Sequence, residues 1–492
     1  MKSLHLRSVA SAIVIFAAPI HAAAKPNVLF IAIDDLNDWI GCLGGHPQAL
    51  TPNIDLLAAR GILFTNAHCA APACKPSRAA VFSGRMPNET GVWSNRTKSL
   101  AQLQPKIVKL PQAFAQAGYR TLGTGKLHHS SKSEDSFSEY FKTEQRWGPI
   151  TRKEADYTEA DLPSKGSGNP RHLANDSTGR KIILPLNRMP SDRAPDKKSG
   201  ESFDWGPWDV PDSDFGDTKI TNWAISKLRE KKDKPLFLAI GYYRPHIPLW
   251  APRRFFERFK DNPGKLPPFR KDDLSDLDEI GKLRALEADT AGLHKTVVEN
   301  KQWQKAIEAY LACITYIDHE VGRVLDELDR SPYRDNTTIV LWSDHGWHLG
   351  EKQHWGKWTG WERSTRVPLI IVPPKNQAEA FAKPGSTCDQ PVGLIDLYPT
   401  LIDLANVPAP KNLSGQSLVP LLKNPAKESK RKLVTMFNPG NVSVRTKKWR
   451  YIRYEDGSEE LYHMKDDPNE WANLASDPAH QAIIKELRGA TN

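Results

Sequence analysis

The sequence contains few cysteines, and their spacing excludes a common kind of structural zinc site. Five occur among 492 residues: Cys42, Cys69, Cys74, Cys313 and Cys388. No two of them have the C-x2-C spacing of a zinc ligand pair. Because the count is odd, at least one thiol has no disulfide partner within the chain. The sequence does not say which cysteines pair. There is also no internal repeat, which excludes a repeat architecture.

Long apolar runs are equally scarce. The main one, residues 9–20, follows a basic start and precedes an Ala-x-Ala pattern that ends at Ala24. It is shorter than the roughly 20 residues that a membrane-spanning helix requires, so a membrane anchor is the less favoured interpretation. The layout is typical of a secretory signal peptide over residues 1–24. We therefore expect an exported protein, periplasmic or secreted, with no stable membrane insertion.

The chain has an excess of positive charge but no recognisable nucleic-acid-binding module. Its formal net charge of +10 falls to +8 when Lys2 and Arg7 leave with the signal peptide. An exported chain without such a module is not expected to bind nucleic acid. A basic surface favours anionic partners, and an acidic glycan suits an exported protein. A basic surface that serves solubility alone is the alternative.

Short apolar segments that end in polar residues indicate the strands of an α/β fold. Continuous apolar runs of this kind suit parallel strands that are buried on both faces. Ligands of open α/β sheets bind beyond the carboxyl ends of such strands, so these polar residues are expected to converge. They are Asp34 and Asp35 after NVLFIAI, Lys126, His128 and His129 after GYRTLGTG, Arg244 and His246 after PLFLAIGYY, and Asp344 and His345 after TTIVLWS.

The domain organisation is predicted from composition and from one hairpin signal. With 39% hydrophobic residues the chain can bury a large core. Polar insertions at roughly 130–204 and 260–300 are either solvated loops or walls of a substrate cleft. Near the end, WRYIRYEDGSEELYHM alternates about an Asp-Gly pair and predicts an antiparallel hairpin. We expect a catalytic domain over 25–425 and a small antiparallel-sheet subdomain over 426–492.

The adjacent carboxylates at the end of the first strand predict a cation partner. Asp34 and Asp35 would repel each other unless a cation or hydrogen-bond donors lay between them. A helix cap or a turn would explain such a pair by itself. Asp344 and His345 at a second strand end make a metal site the favoured interpretation. Hard oxygen ligands suit Ca²⁺ or Mg²⁺, and a single histidine does not require zinc.

Several blocks of the sequence closely resemble the type I sulfatases. The signature is CKPSR at 74–78 followed by SGR at 83–85. Other matching blocks extend the resemblance over nearly the whole mature chain: VLFIAIDDLND, GTGKLHH, RPHIP, SDHGWHLGEKQHWGKWTGWERSTRVPLI and LYHMKDDPNEWANLA. GWHLGEKQHWGKW and DPNEWANL look most like the iduronate-2-sulfatase branch. The resemblance implies an alkaline-phosphatase-like α/β fold, in which helices sandwich a mixed sheet.

For Cys74 the resemblance implies oxidation to Cα-formylglycine by a separate formylglycine-generating enzyme, which reads the C-x-P-S-R sequence. A cysteine thiolate could attack the sulfur of a sulfate ester, but the resulting S-sulfate has no easy route for releasing the sulfate. A hydrated aldehyde carries two hydroxyls on one carbon: one attacks the ester, and the other expels sulfate by re-forming the carbonyl. For Cys42, Cys69, Cys313 and Cys388 we expect core thiols or one disulfide.

The resemblance also implies a role for each matching residue. Ca²⁺ would be held by Asp34, Asp35, Asp344, His345 and the hydrated side chain at position 74. Arg78 and Lys126 would hold the geminal diol, and Lys357 would contact a sulfate oxygen. His246 would be the general acid for the leaving alcohol. Further candidate substrate-binding residues are Lys126, His246, Lys357 and Arg244. The imidazole that deprotonates the second hydroxyl is His129 or His128, with His129 preferred.

The predicted activity is hydrolysis of a sulfate monoester of a carbohydrate, such as a 2-O-sulfated uronic acid of an acidic polysaccharide. Hydrolysis of a phosphodiester or phosphonate is an alternative, because the same scaffold serves those reactions. A non-catalytic protein that binds acidic glycans is another. The constellation of residues lacks none of its members, which favours an enzyme.

Overall fold

The computed structural model describes residues 25–129, 136–142, 146–150, 172–193, 201–230 and 233–491. The expected signal peptide lies outside these residues, as does part of the first polar insertion. None of the helices within the described ranges is long and apolar enough to cross a membrane.

The strands follow one another along the chain as β1 Asn27–Ile33, β2 Ile62–Phe64, β3 Ala67–His68, β4 Arg120–Gly125, β5 Glu139–Phe141, β6 His172–Asn175, β7 Lys181–Leu184, β8 Trp205–Trp208, β9 Leu236–Tyr242, β10 Leu249–Pro252, β11 Thr337–Ser343, β12 His348–Leu349, β13 Trp355–Gly356, β14 Leu369–Val372, β15 Ser386–Cys388, β16 Val392–Gly393, β17 Leu433–Met436, β18 Val442–Arg445, β19 Trp449–Arg453 and β20 Glu459–His463.

The α-helices are α1 Pro52–Arg60, α2 Cys74–Ser83, α3 Pro87–Thr90, α4 Leu100–Leu103, α5 Leu110–Gln116, α6 Gly216–Leu228, α7 Glu279–Leu286, α8 His294–Glu299, α9 Trp303–Arg330, α10 Glu362–Thr365, α11 Leu397–Leu404, α12 Val419–Lys423 and α13 Gln481–Arg488.

The central sheet is mixed and has eight strands in the order β15-β2-β14-β11-β1-β9-β4-β5. Strand β1 runs parallel to both neighbours, with Ile33 opposite Ser343 of β11 and Tyr242 of β9. Strand β4 also runs parallel to β9, whereas β14 pairs antiparallel with β11. The carboxyl ends of β1, β4, β9 and β11 therefore lie at one edge of the sheet.

Helices cover both faces of this sheet, which explains why its strands are apolar throughout. Alternate side chains of a strand point to opposite faces. In β1, Leu29 and Ile31 belong to one core with residues of α1 and α9, and Val28 and Phe30 belong to another with residues of α2, α5 and α11. The predicted α/β class is confirmed.

The C-terminal region carries a second, antiparallel sheet of four strands in the order β17-β18-β19-β20. Its last two strands form the predicted hairpin, in which Arg453 pairs with Glu459 across a loop that contains Gly457. Gly457 has φ 90°, a left-handed conformation that glycine adopts without steric cost. Strand β17 begins at Leu433, and the expected division between residues 425 and 426 stays a prediction.

All five cysteines lie in the described part of the chain, and none of them is in a disulfide. Cys42 is half-buried, whereas Cys69, Cys74, Cys313 and Cys388 are buried. Of the two expectations for the cysteines other than Cys74, core thiols agree with the structure.

Candidate active site

Four strand ends come together at one edge of the sheet. Asp34 follows β1, Lys126 follows β4, and Asp344 follows β11. His246 lies four residues beyond the end of β9. Because these strands are parallel, their polar ends share one edge, as the sequence predicted.

Asp35 has a backbone conformation that the sequence did not predict. Its φ of 60° is left-handed, which is uncommon for a residue other than glycine. Consecutive side chains on a regular strand would point to opposite faces. Here the side chains of Asp34 and Asp35 both reach the same cluster, where they contact Lys126 and Lys357 respectively.

Cys74 lies at the centre of this cluster, as the first residue of helix α2. Its Sγ is 3.0 Å from the Nζ of Lys357, 3.4 Å from the Nε2 of His345 and 3.5 Å from the Nζ of Lys126. The side chain is fully buried. The positive end of the α2 helix dipole also faces this position, so it favours negative charge there.

Arg78, one turn further along α2, ties the helix to the strand ends. Its Nε donates to Asp344 Oδ2 at 2.8 Å, and its Nη2 is 3.4 Å from Asp34 Oδ1. Its Nη1 donates to the backbone oxygen of Lys126. Ser77, which the sequence analysis did not single out, donates from its hydroxyl to the backbone oxygen of Asp344.

The buried charges of the site shift one another's pKa values. Burial acts to raise the pKa of Asp34, but the Lys126 ammonium and neighbouring cations outweigh it and hold that pKa well below its usual value. For Asp35 burial dominates and raises the pKa to about 7, against the opposing effect of Lys357. Burial also raises the pKa of the Cys74 thiol. The unmodified thiol is therefore held protonated and is a weak nucleophile.

The two lysines remain charged despite their burial. Burial disfavours the ammonium form, yet Asp34 raises the pKa of Lys126 and Asp35 raises the pKa of Lys357. Aromatic rings support both: Lys126 Nζ lies 4.6 Å from the ring centre of Tyr243. Lys357 Nζ lies 5.3 Å from that of Trp347. These rings face the ammonium groups with the negative side of the π system.

The donor set fits a hard divalent cation. Ligand atoms of Asp34, Cys74, Asp344 and His345 all lie within 4.8 Å of one another. Among the described atoms, Asp34 Oδ1 and Asp35 Oδ2 are buried without a hydrogen-bond partner. Buried carboxylate oxygens of this kind carry a large solvation cost unless a cation or a donor meets them. Oxygen-rich ligands of this type suit Ca²⁺ or Mg²⁺.

The structure separates the two candidate histidines after β4. His129 lines the same cavity as His246 and Lys357. His128 instead packs against Phe82, with ring centres 4.3 Å apart. Burial lowers the pKa of each to about 3. Of these two histidines, only His129 lies in the wall of this cavity, where it can contact a bound molecule.

His246 has a defined orientation. Its Nδ1 lies 2.6 Å from the backbone oxygen of Ile247, so Nδ1 carries a proton and donates to that oxygen. Its Nε2 lies 4.0 Å from Asp35 Oδ2. The ring therefore presents Nε2 to the cluster.

Arg244, a candidate substrate contact, is fully buried. Its Nε donates to the Trp250 oxygen at 3.0 Å, and its Nη2 donates to the oxygens of Arg146 at 3.0 Å and Gly148 at 3.4 Å. It is not among the described residues that line the cavity beside Lys357. These contacts give Arg244 a role in holding the segment that carries Arg146.

An open cavity of about 660 Å³ leads to the cluster. Besides His129, His246 and Lys357, its wall includes residues of both polar insertions, such as Arg146, Arg193, Arg284 and Asp289. The sequence left open whether these insertions are loops or cleft walls, and here parts of both are walls.

A second cavity of about 630 Å³ contains none of the predicted site residues. Its arginines are engaged in ion pairs, for example Arg363 with Glu351 at 3.0 Å and Arg445 with Glu362 at 3.1 Å. Its wall includes residues of the C-terminal sheet region, and the Arg445–Glu362 pair links that sheet to helix α10.

The mixed sheet between two layers of helices is the α/β fold expected of the alkaline-phosphatase-like class, and the buried cluster lies at the carboxyl edge of its parallel strands. The sulfatase family profile matches residues 26–407, and the N-sulphoglucosamine sulphohydrolase C-terminal profile matches residues 350–491. The chain therefore belongs to the sulfatase family and is a sulfuric ester hydrolase.

Two curated relatives illustrate the likeness. A sulfatase of Formosa agariphila is 34% identical over 469 residues, which cover 94% of this chain and 86% of the relative. The iduronate 2-sulfatase of Mus musculus is 30% identical over 416 residues, which cover 78% of this chain and 69% of the relative.

Two solved structures show the same fold at lower identity. A 2-O GAG sulfatase has a TM-score of 0.69 and 23% identity, over 95% of this chain and 91% of its own. A phosphonate monoester hydrolase from Silicibacter pomeroyi has a TM-score of 0.72 and 21% identity, over 95% of this chain and 94% of its own.

Proposed function

We propose that this sulfatase hydrolyses a sulfate monoester of an acidic carbohydrate through a hydrated formylglycine formed from Cys74. The observation that carries the proposal is the position of Cys74 Sγ, 3.4 Å from His345 and 3.0 Å from Lys357, a residue that lines the cavity. A buried, protonated thiol is a poor nucleophile. A hydrated aldehyde at this position supplies one hydroxyl to attack sulfur and a second to release sulfate.

Asp34, Asp35, Asp344 and His345 would hold Ca²⁺ together with the side chain at position 74. The unpartnered oxygens of Asp34 and Asp35 support this ligand set. When bound, the cation supplies positive charge that lowers the pKa of the attacking hydroxyl and neutralises the sulfate.

The protein's own cations orient the reacting groups. Lys126 and Arg78 flank position 74 and hold the diol in place, since each also pairs with Asp34. Lys357 binds a sulfate oxygen, so its charge lies where negative charge develops in the transition state. All three are nearly or fully buried, which strengthens their interaction with an anion.

Two histidines move protons. His246 must hold a proton on both ring nitrogens to act as the acid: Nε2 then gives its proton to the oxygen of the leaving alcohol, and the hydrogen bond from Nδ1 to Ile247 keeps the ring in the required orientation. His129 takes the proton of the second hydroxyl, because it lines the cavity whereas His128 packs on Phe82.

The substrate class is an acidic saccharide such as a 2-O-sulfated uronic acid. Support comes from the four arginines in the cavity wall and from the names of two similar proteins, an iduronate 2-sulfatase and a 2-O GAG sulfatase. Export through a signal peptide over residues 1–24, to the periplasm or the medium, would bring the enzyme to polysaccharides. Maturation would require a formylglycine-generating enzyme as partner.

A second candidate function is hydrolysis of phosphodiesters or phosphonates, because the fold is shared with a phosphonate monoester hydrolase. Paired aryl sulfate and aryl phosphonate esters distinguish the two. Faster turnover of the phosphonate would overturn the sulfate proposal.

The first experiment is mass spectrometry of the tryptic peptide 61–78 after expression with a formylglycine-generating enzyme. The expected product has lost the sulfur of Cys74 and gained an aldehyde oxygen. Peptide 61–78 from the Cys74→Ser variant is the control for sequence-specific artefacts. An unmodified thiol in active enzyme would contradict the proposal.

A further inference from the structure

Four arginines line the cavity above the cluster, and all but one are paired with a carboxylate. The pairs are Arg96 with Asp289 at 2.7 Å, Arg193 with Glu201 at 2.7 Å, and Arg284 with Glu287 at 3.2 Å. Arg146 is the exception. Among the residues that the structure describes, no carboxylate lies within ion-pairing distance of its guanidinium.

The side chain of Arg146 is half-buried, so the lack of a carboxylate partner among the described residues is costly. Its Nε is buried and has no acceptor among the described atoms. Its guanidinium lies 5.1 Å from the ring centre of Trp147. A cation that has lost part of its hydration is stabilised when an anion meets it. The ring of the neighbouring tryptophan attracts the cation but carries no negative charge to pair with it.

The backbone around Arg146 is held in place from the protein interior. Arg244, buried behind it, donates to the Arg146 oxygen at 3.0 Å and to the Gly148 oxygen at 3.4 Å. These bonds limit the movement of the segment. Arg146 is thus a cation on a supported backbone, of the kind that recognises a ligand with defined geometry.

Arg146 lies on the His246 side of the cavity. Both residues line it, and Arg146 is among the charges that act on the His246 imidazole. Lys357, which the proposed function assigns to a sulfate oxygen, lines the same cavity with its Nζ 3.0 Å from Cys74 Sγ. An anionic group on the leaving sugar, rather than the sulfate itself, would therefore meet Arg146.

We infer that Arg146 is a specificity residue that binds the carboxylate of a sulfated uronic acid while the sulfate lies against position 74. This inference rests on the proposed function and deepens it. The planar guanidinium fork matches a carboxylate through two parallel hydrogen bonds, and the Nε donor of Arg146 has no acceptor among the described atoms.

The test compares two substrates that differ in one group: a uronic acid 2-sulfate and the hexose 2-sulfate in which a hydroxymethyl group replaces the carboxylate. In the wild-type enzyme the uronate is expected to have the higher kcat/KM. Arg146→Gln should lower kcat/KM for the uronate by about 10- to 100-fold, as for a lost charge-assisted hydrogen bond. For the hexose the change should stay below about threefold, and Arg146→Lys should fall between.

Arg229→Gln is the control, because Arg229 is an exposed arginine paired with a carboxylate, Glu327, at 2.8 Å and is not among the residues that line the cavity. This substitution should change kcat/KM for each of the two substrates by less than about threefold. An equal loss on both substrates in Arg146→Gln would overturn the inference, since it would mean a structural role. If Arg146→Gln lowered kcat/KM for a doubly sulfated hexose as much as for the uronate, the carboxylate would be overturned as the ligand of Arg146.

Failure of the proposed function has a different signature. If the wild type hydrolysed aryl phosphonates and neither sugar sulfate, the sulfate assignment and the inference would both be wrong. If the wild type hydrolysed the hexose sulfate and the uronate with equal kcat/KM, the sulfatase assignment would stand and the role of Arg146 would be refuted.

Discussion

The Nε of Arg78 donates to Oδ2 of Asp344 at 2.8 Å, which joins helix α2 to the end of strand β11. The same guanidinium reaches Asp34 at the end of β1. One buried cation therefore aligns the residue at position 74 with two strand ends that lie far apart in the sequence.

Replacing Arg78 should destabilise the protein strongly. Arg78→Met removes the buried guanidinium that pairs with both Asp34 and Asp344, so we expect a loss of about 3–5 kcal/mol in the free energy of unfolding, measured by urea denaturation with calcium present. Arg60→Met is the control, because the Arg60–Asp329 pair is partly exposed and should contribute about 1 kcal/mol or less. Equal effects of the two substitutions would contradict the central role of Arg78.

Removing the Cys74 side chain should abolish turnover and leave the fold intact. We expect Cys74→Ala to lower kcat/KM by at least about 10³-fold, because no other group can form the covalent link. The thermal unfolding midpoint should change little. Cys69→Ala is the matched control: Cys69 is also buried, but its thiol faces the Ser364 oxygen at 3.9 Å, outside the cluster. Retained activity in Cys74→Ala would refute the assignment.

Removing bound calcium should lower thermal stability as well as activity. Asp34 Oδ1 and Asp35 Oδ2 have no hydrogen-bond partner among the described atoms, so loss of the cation removes part of their compensation. We expect calorimetry on chelator-treated protein to detect one Ca²⁺ site, and Asp344→Asn to weaken it by at least about tenfold. Asp318→Asn, at a buried carboxylate that accepts from the backbone of Ile54, should leave calcium affinity unchanged. Unaltered affinity in Asp344→Asn would argue against the ligand set.

The role of His246 can be tested through the leaving group. A general acid contributes about 10²- to 10⁴-fold when the departing oxygen is strongly basic. We therefore expect His246→Ala to lower kcat by that factor for a sugar sulfate and by much less for a nitrophenyl sulfate, whose leaving group needs no proton. An equal loss for both substrates would mean that His246 acts on another step.

The two histidines after β4 should differ in their effects. His129→Asn should lower kcat by about 10²-fold or more, because His129 faces the cavity. His128→Asn should mainly reduce stability, because His128 packs on Phe82. Single-turnover kinetics and thermal unfolding on both variants separate the two roles. The reverse pattern would exchange the assignments.

Some features of the site follow from local sequence. The apolar run of β1 with a carboxylate pair behind it predicted both a buried strand and a cation, and four such strand ends predicted a shared edge. The hairpin of β19 and β20 also followed from its alternation and its Asp-Gly pair. These signals are local, because a strand's periodicity and a turn's chemistry depend on neighbouring residues.

Other features depend on contacts between distant segments. The left-handed conformation of Asp35 and the aromatic rings of Tyr243 and Trp347 facing the lysines have no local signal. Arg244 shows most clearly what local sequence does not predict. Its sequence position suggested substrate contact, but in the fold its guanidinium donates hydrogen bonds to backbone oxygens. Which face a side chain turns to is decided by packing.

The sequence by itself determined the α/β class, the sulfatase resemblance and the set of charged residues at the strand ends, because these reside in residue type and spacing. Only the tertiary structure decided that His129 lines the cavity while His128 packs against Phe82, and that Arg146 alone among the described cavity arginines lacks a carboxylate. Both depend on which segments fill the space around a side chain. That is a property of the packed fold, since burial and pairing arise only when distant parts of the chain meet.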